Sequence, residues 1–198
     1  MILNKMPTIK DEEYNAARDF LSRTDESGIN ELGLFIVQAY QRVDEMLELK
    51  DFTTCKRLIM VGCGPFPMTV IHVLKRYPSI IIEAIDIDKE ALVMAKKVVK
   101  KFSLQHKVQL VHSSGVDYNY AGADIIYIAN LVSPKAKVLK RVAKSSQLKT
   151  LVILRDPVQV NQKYPENGIT SIDNDFVIEG ESKANERFNS KDFFLRRI

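Results

Sequence analysis

The chain has 198 residues and a formal net charge of +4 at pH 7, a length that suits one domain able to bury a three-layer core. The charge comes mostly from dispersed lysines, and the one cluster, Lys96, Lys97, Lys100 and Lys101, fits a solvated helix face better than a nucleic-acid stripe. Cys55 and Cys63 are too few for a disulfide framework and have no zinc-spaced neighbours; no apolar run or leader pattern marks a membrane span or signal peptide, so we expect a cytoplasmic protein with no metal and no membrane partner.

In chain order, a short amphipathic helix is expected over residues 11–22. A longer one is marked by Ile29, Leu32, Phe35, Ile36, Ala39, Val43 and Met46 at three-to-four spacing. Strands and helices then alternate: strand 57–61, helix 67–77, strand 80–85, helix 89–102, strand 108–112. A fourth strand follows over 123–129, then a helix over 134–144 capped by Ser133, and a fifth strand over 150–154. This alternation implies right-handed crossovers and a parallel sheet. After Arg155 a loop of about 18 residues leads to apolar runs at 176–181 and 193–196 with no helical period between them, which reads as a terminal antiparallel hairpin. The division expected is a helical N-terminal extension over 1–56 and a nucleotide-binding domain over 57–198.

The first βαβ unit, LIMVGCGPFPMTVIHVLKRYPSIIIEAIDID between Leu58 and Asp88, carries the chemistry. Gly62 and Gly64 let the backbone turn tightly off the strand and approach a ligand, and the next helix offers unpaired N–H groups at its start. Asp86, closing the second strand, is placed to accept hydrogen bonds from ribose hydroxyls. The dinucleotide fingerprint requires a third glycine where this chain has Pro67, so a pyrophosphate cofactor such as NAD is disfavoured.

The order of elements, the VGCGPFP loop, the EAIDID strand end and the DIIYIANLV strand resemble the class I S-adenosylmethionine-dependent methyltransferases. The resemblance implies an α/β, Rossmann-like fold with a seven-stranded mixed sheet. It implies that Gly62, Cys63, Gly64 and Pro65 lie beside the methionine portion of S-adenosylmethionine, that Asp86 holds the ribose, and that Ile87 packs near the adenine. Ser114, Gly115 and Val116 follow the third strand, where the family often carries an acid for the adenine amino group. Here that position is Gly115, a departure from the family pattern that leaves Asp117 or the Val116 backbone as the candidates for the contact. Asn130 would face the sulfonium.

Within that superfamily GCGPFPMTVI, DID, ANLV, the LR that ends strand five and NERFNS look like nicotianamine synthase and the related bacterial metallophore synthases. Those enzymes move the 3-amino-3-carboxypropyl group and release methylthioadenosine, to a small amine or amino acid. With 56 residues before Arg57, the acceptor is expected to be small, or the cofactor's own α-amine attacks its γ-carbon to give azetidine-2-carboxylate with no second substrate. A conventional small-molecule methyltransferase and a non-catalytic S-adenosylmethionine-binding regulatory module are the alternatives. ANLVSP after strand four lacks the loop that holds a flipped base, so no nucleic-acid partner is expected.

An amine nucleophile must be neutral, so a proton acceptor is required. Tyr40 is the first candidate for that work: its segment AYQRVDEML looks like the family segment carrying a functional tyrosine, and it falls about 80° from the centre of the helix's buried stripe; covering the core rim is its other reading. Glu26 shares its flank only if the helix starts before Gly28, and Glu31 lies on the opposite one. Arg155 is expected to fork a carboxylate of cofactor or substrate, or to sit in a surface ion pair. Asp124 is expected to cap its strand, and His72, His106 and His112 are isolated.

Overall fold

The computed structural model describes residues 9–23, 34–158, 172, 174–186 and 188–198. Two helices come first, α1 (Ile9–Ser22) and α2 (Leu34–Leu49). Then follow β1 (Arg57–Val61), α3 (Met68–Arg76), β2 (Ile81–Asp86), α4 (Lys89–Lys101), β3 (Val108–His112), β4 (Ile125–Ile128), α5 (Lys135–Ser145), β5 (Leu151–Asp156), β6 (Phe176–Glu181) and β7 (Lys191–Arg197). Glu26, Glu31, the start expected for the long helix and most of the loop before β6 lie outside the described residues.

The seven strands form one sheet in the order β3-β2-β1-β4-β5-β7-β6. The first five are parallel, and β7 inserts antiparallel between β5 and β6. This is the mixed sheet with a C-terminal hairpin expected of the Rossmann-like methyltransferase fold. The strand order reverses between β1 and β4, and a crevice opens at the carboxyl ends of the strands on either side of such a switch point.

Alternation along the strands sorts their side chains into two layers. Leu58, Met60, Ile82, Ala84, Tyr127 and Ile153 pack with α2, α3 and α4 through Val43, Val73 and Val99. Ile59, Val61, Ile85, Ile126, Ile128 and Val152 face α5 through Val138, Leu139 and Val142. Both faces of β1 and β4 are therefore apolar, which is why these strands read as continuous hydrophobic runs. A third cluster joins Ala17 and Phe20 of α1 to Ile36, Phe66 and Ile71, holding α1 over the helical layer.

Two local expectations change. Ser133 does not cap α5: the helix starts at Lys135, Pro134 occupies the N-cap place in an extended conformation, and no side chain caps it. The serine therefore stands one residue too early. Asp124 does bind a strand start, its Oδ2 accepting from the Lys56 and Arg57 N–H groups at 2.8 and 2.9 Å, so it joins the starts of β1 and β4.

Candidate active site

Gly62 and Gly64 both adopt the left-handed conformation, with φ of +79° and +64°, which explains the residue type at each. A Cβ on Gly62 would stand 2.6 Å from Val132 Cγ2, so the turn also fits tightly under the segment after β4. Asp86 fastens this turn: its Oδ2 accepts from Gly64 N at 2.8 Å and its Oδ1 from Asp88 N at 2.9 Å. Each carboxylate oxygen keeps further acceptor capacity, and Asp86 lines a cavity of about 330 Å³ over the switch point. That size is within the range of small-molecule sites.

Gly62, Cys63, Gly64, Pro65, Asp86, Ile87, Ser114, Gly115, Val116, Asn130 and Arg155, expected from the sequence to meet the cofactor, all border this one cavity. Ile87 is 71% exposed, an apolar surface for a flat ring. Gly115 has a packing reason for not being an acid. A Cβ there would stand 2.7 Å from Val61 Cγ1 and 3.2 Å from Val138 Cγ2, and its carbonyl accepts from the Tyr120 hydroxyl. Asp117 does not border the cavity; its backbone N–H bonds the Ser114 carbonyl instead. Burial pushes the Cys63 thiol up, so it stays protonated. Asn130 donates through Nδ2 to the Phe188 carbonyl at 3.1 Å, and its buried Oδ1 has no hydrogen-bond partner among the described residues.

The sequence reading missed the contribution of α1. Glu13, Lys10 and Tyr14 of this helix border the cavity. A Cβ on Gly64 would lie 2.8 Å from Glu13 Oε2, so the carboxyl sits directly on the glycine turn. Burial, and then the nearby negative charge of Asp86, push the Glu13 carboxyl up to about 8, with Lys10 opposing. Asp88 anchors the helix: it caps α4 through the Glu90 and Ala91 N–H groups, and its other oxygen accepts from Tyr14 Oη at 2.9 Å and pairs with Lys10 at 3.0 Å. Burial opposes ionisation of Asp88, yet the Ala91 amide, Lys10 and Tyr14 hold its carboxyl down to about 2. Glu13 lies in line with Ala17 and Phe20 at helical spacing, so an acid on the apolar stripe was the available signal.

Arg155 is not in a surface ion pair. Its Nε and Nη2 fork Asp192 at 2.7 and 3.1 Å, and its guanidinium lies over the Tyr127 ring. The planar fork expected to hold a ligand thus holds an internal carboxylate along this edge. Arg42, which the sequence reading passed over, reaches the same Asp192 through Nη2 at 3.1 Å.

Tyr40 does not border the cavity. Its ring packs edge-on against His72 at 4.6 Å, and its buried hydroxyl makes no hydrogen bond among the described residues. Ala39, Arg42 and Val43 face the site instead, because the described helix presents that adjacent stripe inward. His72 pairs with Asp44 at 2.6 Å and His112 with the Ile87 carbonyl at 3.1 Å. Among the described residues no cluster of three or more metal-ligating side chains exists, and no helix is long and apolar enough to cross a membrane.

No curated protein matches the chain. Its fold is similar to that of a glutamate-to-glutamine mutant of MtNAS in complex with S-adenosylmethionine, with a TM-score of 0.76, 16% identity and coverage of 93% of this chain and 71% of that one. MtNAS in complex with MTA and tNA gives 0.79 at 16% identity, covering 94% and 70%. The mitomycin 7-O-methyltransferase MmcR gives 0.64 at 11% identity, covering 94% and 60%. The family model described as nicotianamine synthase protein matches residues 39–160, from α2 to the end of the parallel sheet. The chain belongs to the nicotianamine synthase family, and so to the S-adenosylmethionine-dependent transferases.

Proposed function

We propose that the protein transfers the 3-amino-3-carboxypropyl arm of S-adenosylmethionine to a small amine or amino acid and releases methylthioadenosine, with Glu13 as the proton acceptor. In this reading the adenine lies over Ile87 and the 114–116 turn, the ribose bonds Asp86, and the arm runs past the glycine turn toward Asn130. The amine nitrogen bonds the γ-carbon of the arm, the carbon–sulfur bond breaks with its electron pair left on sulfur, and the surplus ammonium proton passes to the Glu13 carboxylate. A positioned base of raised pKa suits an amine that must shed its proton near neutral pH.

The observation that carries this proposal is the Glu13 carboxyl seated on the Gly64 backbone inside the cavity, with its pKa pushed up to about 8 by burial and by Asp86. Family membership supports the group transferred. The same base serves the cyclising form of the reaction, in which the arm's own α-amine closes a four-membered ring to azetidine-2-carboxylate.

The test is the identity of the nucleoside formed in an enzyme-dependent manner from S-adenosylmethionine, with and without candidate amines. Methylthioadenosine is expected; S-adenosylhomocysteine as the only product refutes the transfer and returns a conventional methyltransferase. Azetidine-2-carboxylate without an added amine identifies cyclisation, and tight binding with no product at all identifies a sensor.

A further inference from the structure

We infer that Glu13 of α1 makes the cavity sensitive to the charge of its ligand: a nucleoside bearing a cationic sulfonium enters against a proton that leaves Glu13 for solvent, and a neutral thioether nucleoside enters without one. This rests on the placement of the sulfonium beside the glycine turn in the proposed function, and it adds to that site a discrimination between substrate and product.

Two carboxyl groups meet on Gly64. Asp86 Oδ2 accepts from its N–H at 2.8 Å, and Glu13 Oε2 lies 2.8 Å from the place of a Cβ. Both acids border the cavity and both are half-buried, so a ligand there touches them. Asp86 is held by the Gly64 and Asp88 N–H groups, whereas among the described residues no hydrogen bond stabilises a Glu13 carboxylate. Lys10, one turn earlier on α1, is the cation whose charge reaches Glu13. Its ammonium lies 3.0 Å from Asp88 Oδ2 and its side chain is 61% exposed, so that charge is shared with Asp88 and screened by water. Tyr14 is bound to the same Asp88, and Glu90 at the start of α4 is exposed and acts on Tyr14. The Cys63 thiol in the turn stays protonated through burial. Arg42 of α2 and Arg155 of β5 border the cavity, but both are bound to Asp192. Two like charges held this close resist joint ionisation unless a cation joins them, and burial and Asp86 accordingly push the Glu13 carboxyl up to about 8.

A sulfonium supplies that cation. It carries a fixed positive charge and neither N–H nor O–H, so a protein recognises it by charge rather than by accepting hydrogen bonds from it. As it enters, ionisation of the second carboxyl becomes favourable: the Glu13 O–H bond breaks with its electron pair left on oxygen, and the proton passes to water. A thioether brings no charge, and Glu13 keeps its proton. The two events close a cycle. Transfer makes the sulfur neutral and returns the amine's surplus proton to Glu13, so the product complex has the protonation state of the empty enzyme and methylthioadenosine leaves with no proton to exchange. One proton per turnover reaches solvent, at the binding step. The substrate thus creates the base that its own reaction uses.

Methylthioadenosine and its S-methylated sulfonium differ by one methyl group and one fixed charge, and neither carries the arm. Calorimetric titration of the full chain with each at pH 7, in two buffers of different ionisation enthalpy, counts the protons exchanged, and any titration of the adenine ring is common to both. The sulfonium is expected to release about one proton more than the thioether. Its affinity is expected to rise by up to about tenfold per pH unit toward pH 8 and to level off above, where the empty site has already lost the proton; the affinity of the thioether is expected not to rise. S-adenosylmethionine against S-adenosylhomocysteine repeats the comparison with the arm present. Equal proton counts for the paired ligands, or a sulfonium that binds no better than the thioether at pH 8, overturn the inference on the wild-type protein alone, so it does not depend on a variant folding. In folded Glu13→Gln the release is expected to vanish, and a release that persists overturns the inference as well. The nucleoside formed on turnover is read separately. S-adenosylhomocysteine as sole product sinks the transfer reaction and leaves the proton exchange standing, while methylthioadenosine as product with equal proton counts leaves the transfer and overturns the exchange.

Discussion

Replacing Glu13 by Gln separates the electrostatic cost of this acid from its chemistry. Its carboxyl rises from the ordinary 4.5 to about 8 in the folded chain, and each pKa unit is worth about 1.4 kcal/mol, so the linkage ceiling is about 5 kcal/mol. Much less than this is expected in practice, because Glu13 keeps partial access to cavity solvent and α1 can undock and hydrate the carboxylate before the sheet unfolds. A value of about 1–2 kcal/mol follows for α1 docking. The sign is fixed by the direction of the shift. Between about 4.5 and 8 the docked helix retains a proton that the undocked one has released, so the stabilisation is complete below 4.5 and is lost as pH rises to 8. Glutamine mimics the protonated acid at every pH. Native-state hydrogen exchange, corrected for intrinsic rates, is expected to show α1 amides about tenfold better protected in Glu13→Gln at pH 8.5, with no difference at pH 4. The same variant is expected to bind S-adenosylmethionine yet lose about 10²- to 10⁴-fold in transfer rate. Equal or weaker α1 protection in the variant at pH 8.5 would refute the burial argument, and an unaltered rate would refute the base.

Three further outcomes follow from the same geometry. Gly62→Ala combines a left-handed φ with a Cβ 2.6 Å from Val132 Cγ2; a loss of about 2 kcal/mol should appear as a lower urea midpoint together with weakened cofactor binding. Asp88→Ala removes the α4 cap and the Tyr14 and Lys10 anchor together, costing about 1–2 kcal/mol. Because the Asp88 carboxyl is held down to about 2, its charge contributes above about 3.8 and is lost as pH falls through 2; thermal melts should therefore separate wild type from variant at pH 6 and converge at pH 2. Asp192→Ala leaves two guanidiniums without their shared anion, and a loss of about 3–5 kcal/mol is expected in chemical denaturation; an unchanged midpoint would show the pair to be hydrated.

What the sequence disclosed and what it withheld divide by the range of the interaction. The turn at Gly62 and Gly64, the acid at Asp86 and the buried strands are each encoded within one βαβ unit, where spacing along the chain dictates spacing in the fold. The shape of the C-terminal hairpin was legible for the same reason, from apolar runs at its two strands. Glu13 reaches Gly64 and Arg42 reaches Asp192 only because α1 and α2 lie back over a sheet assembled from residues far along the chain, and no local period records that return. Their trace is indirect: each is a charge set into a helical stripe whose other members, Ala17 and Phe20 or Ala39 and Val43, are buried. Tyr40 is ambiguous for the complementary reason. An aromatic beside the stripe satisfies both a site and a core, and here the ring is spent on packing against His72. A charge on an apolar face always calls for an explanation, since burying it is unfavourable unless a partner, as Asp192 is for Arg42, or a ligand meets it. In the proposed reading, the ionisable residue that breaks the α1 stripe, Glu13, rather than a polar residue at a stripe's edge, is the one that locates the proton acceptor of this site.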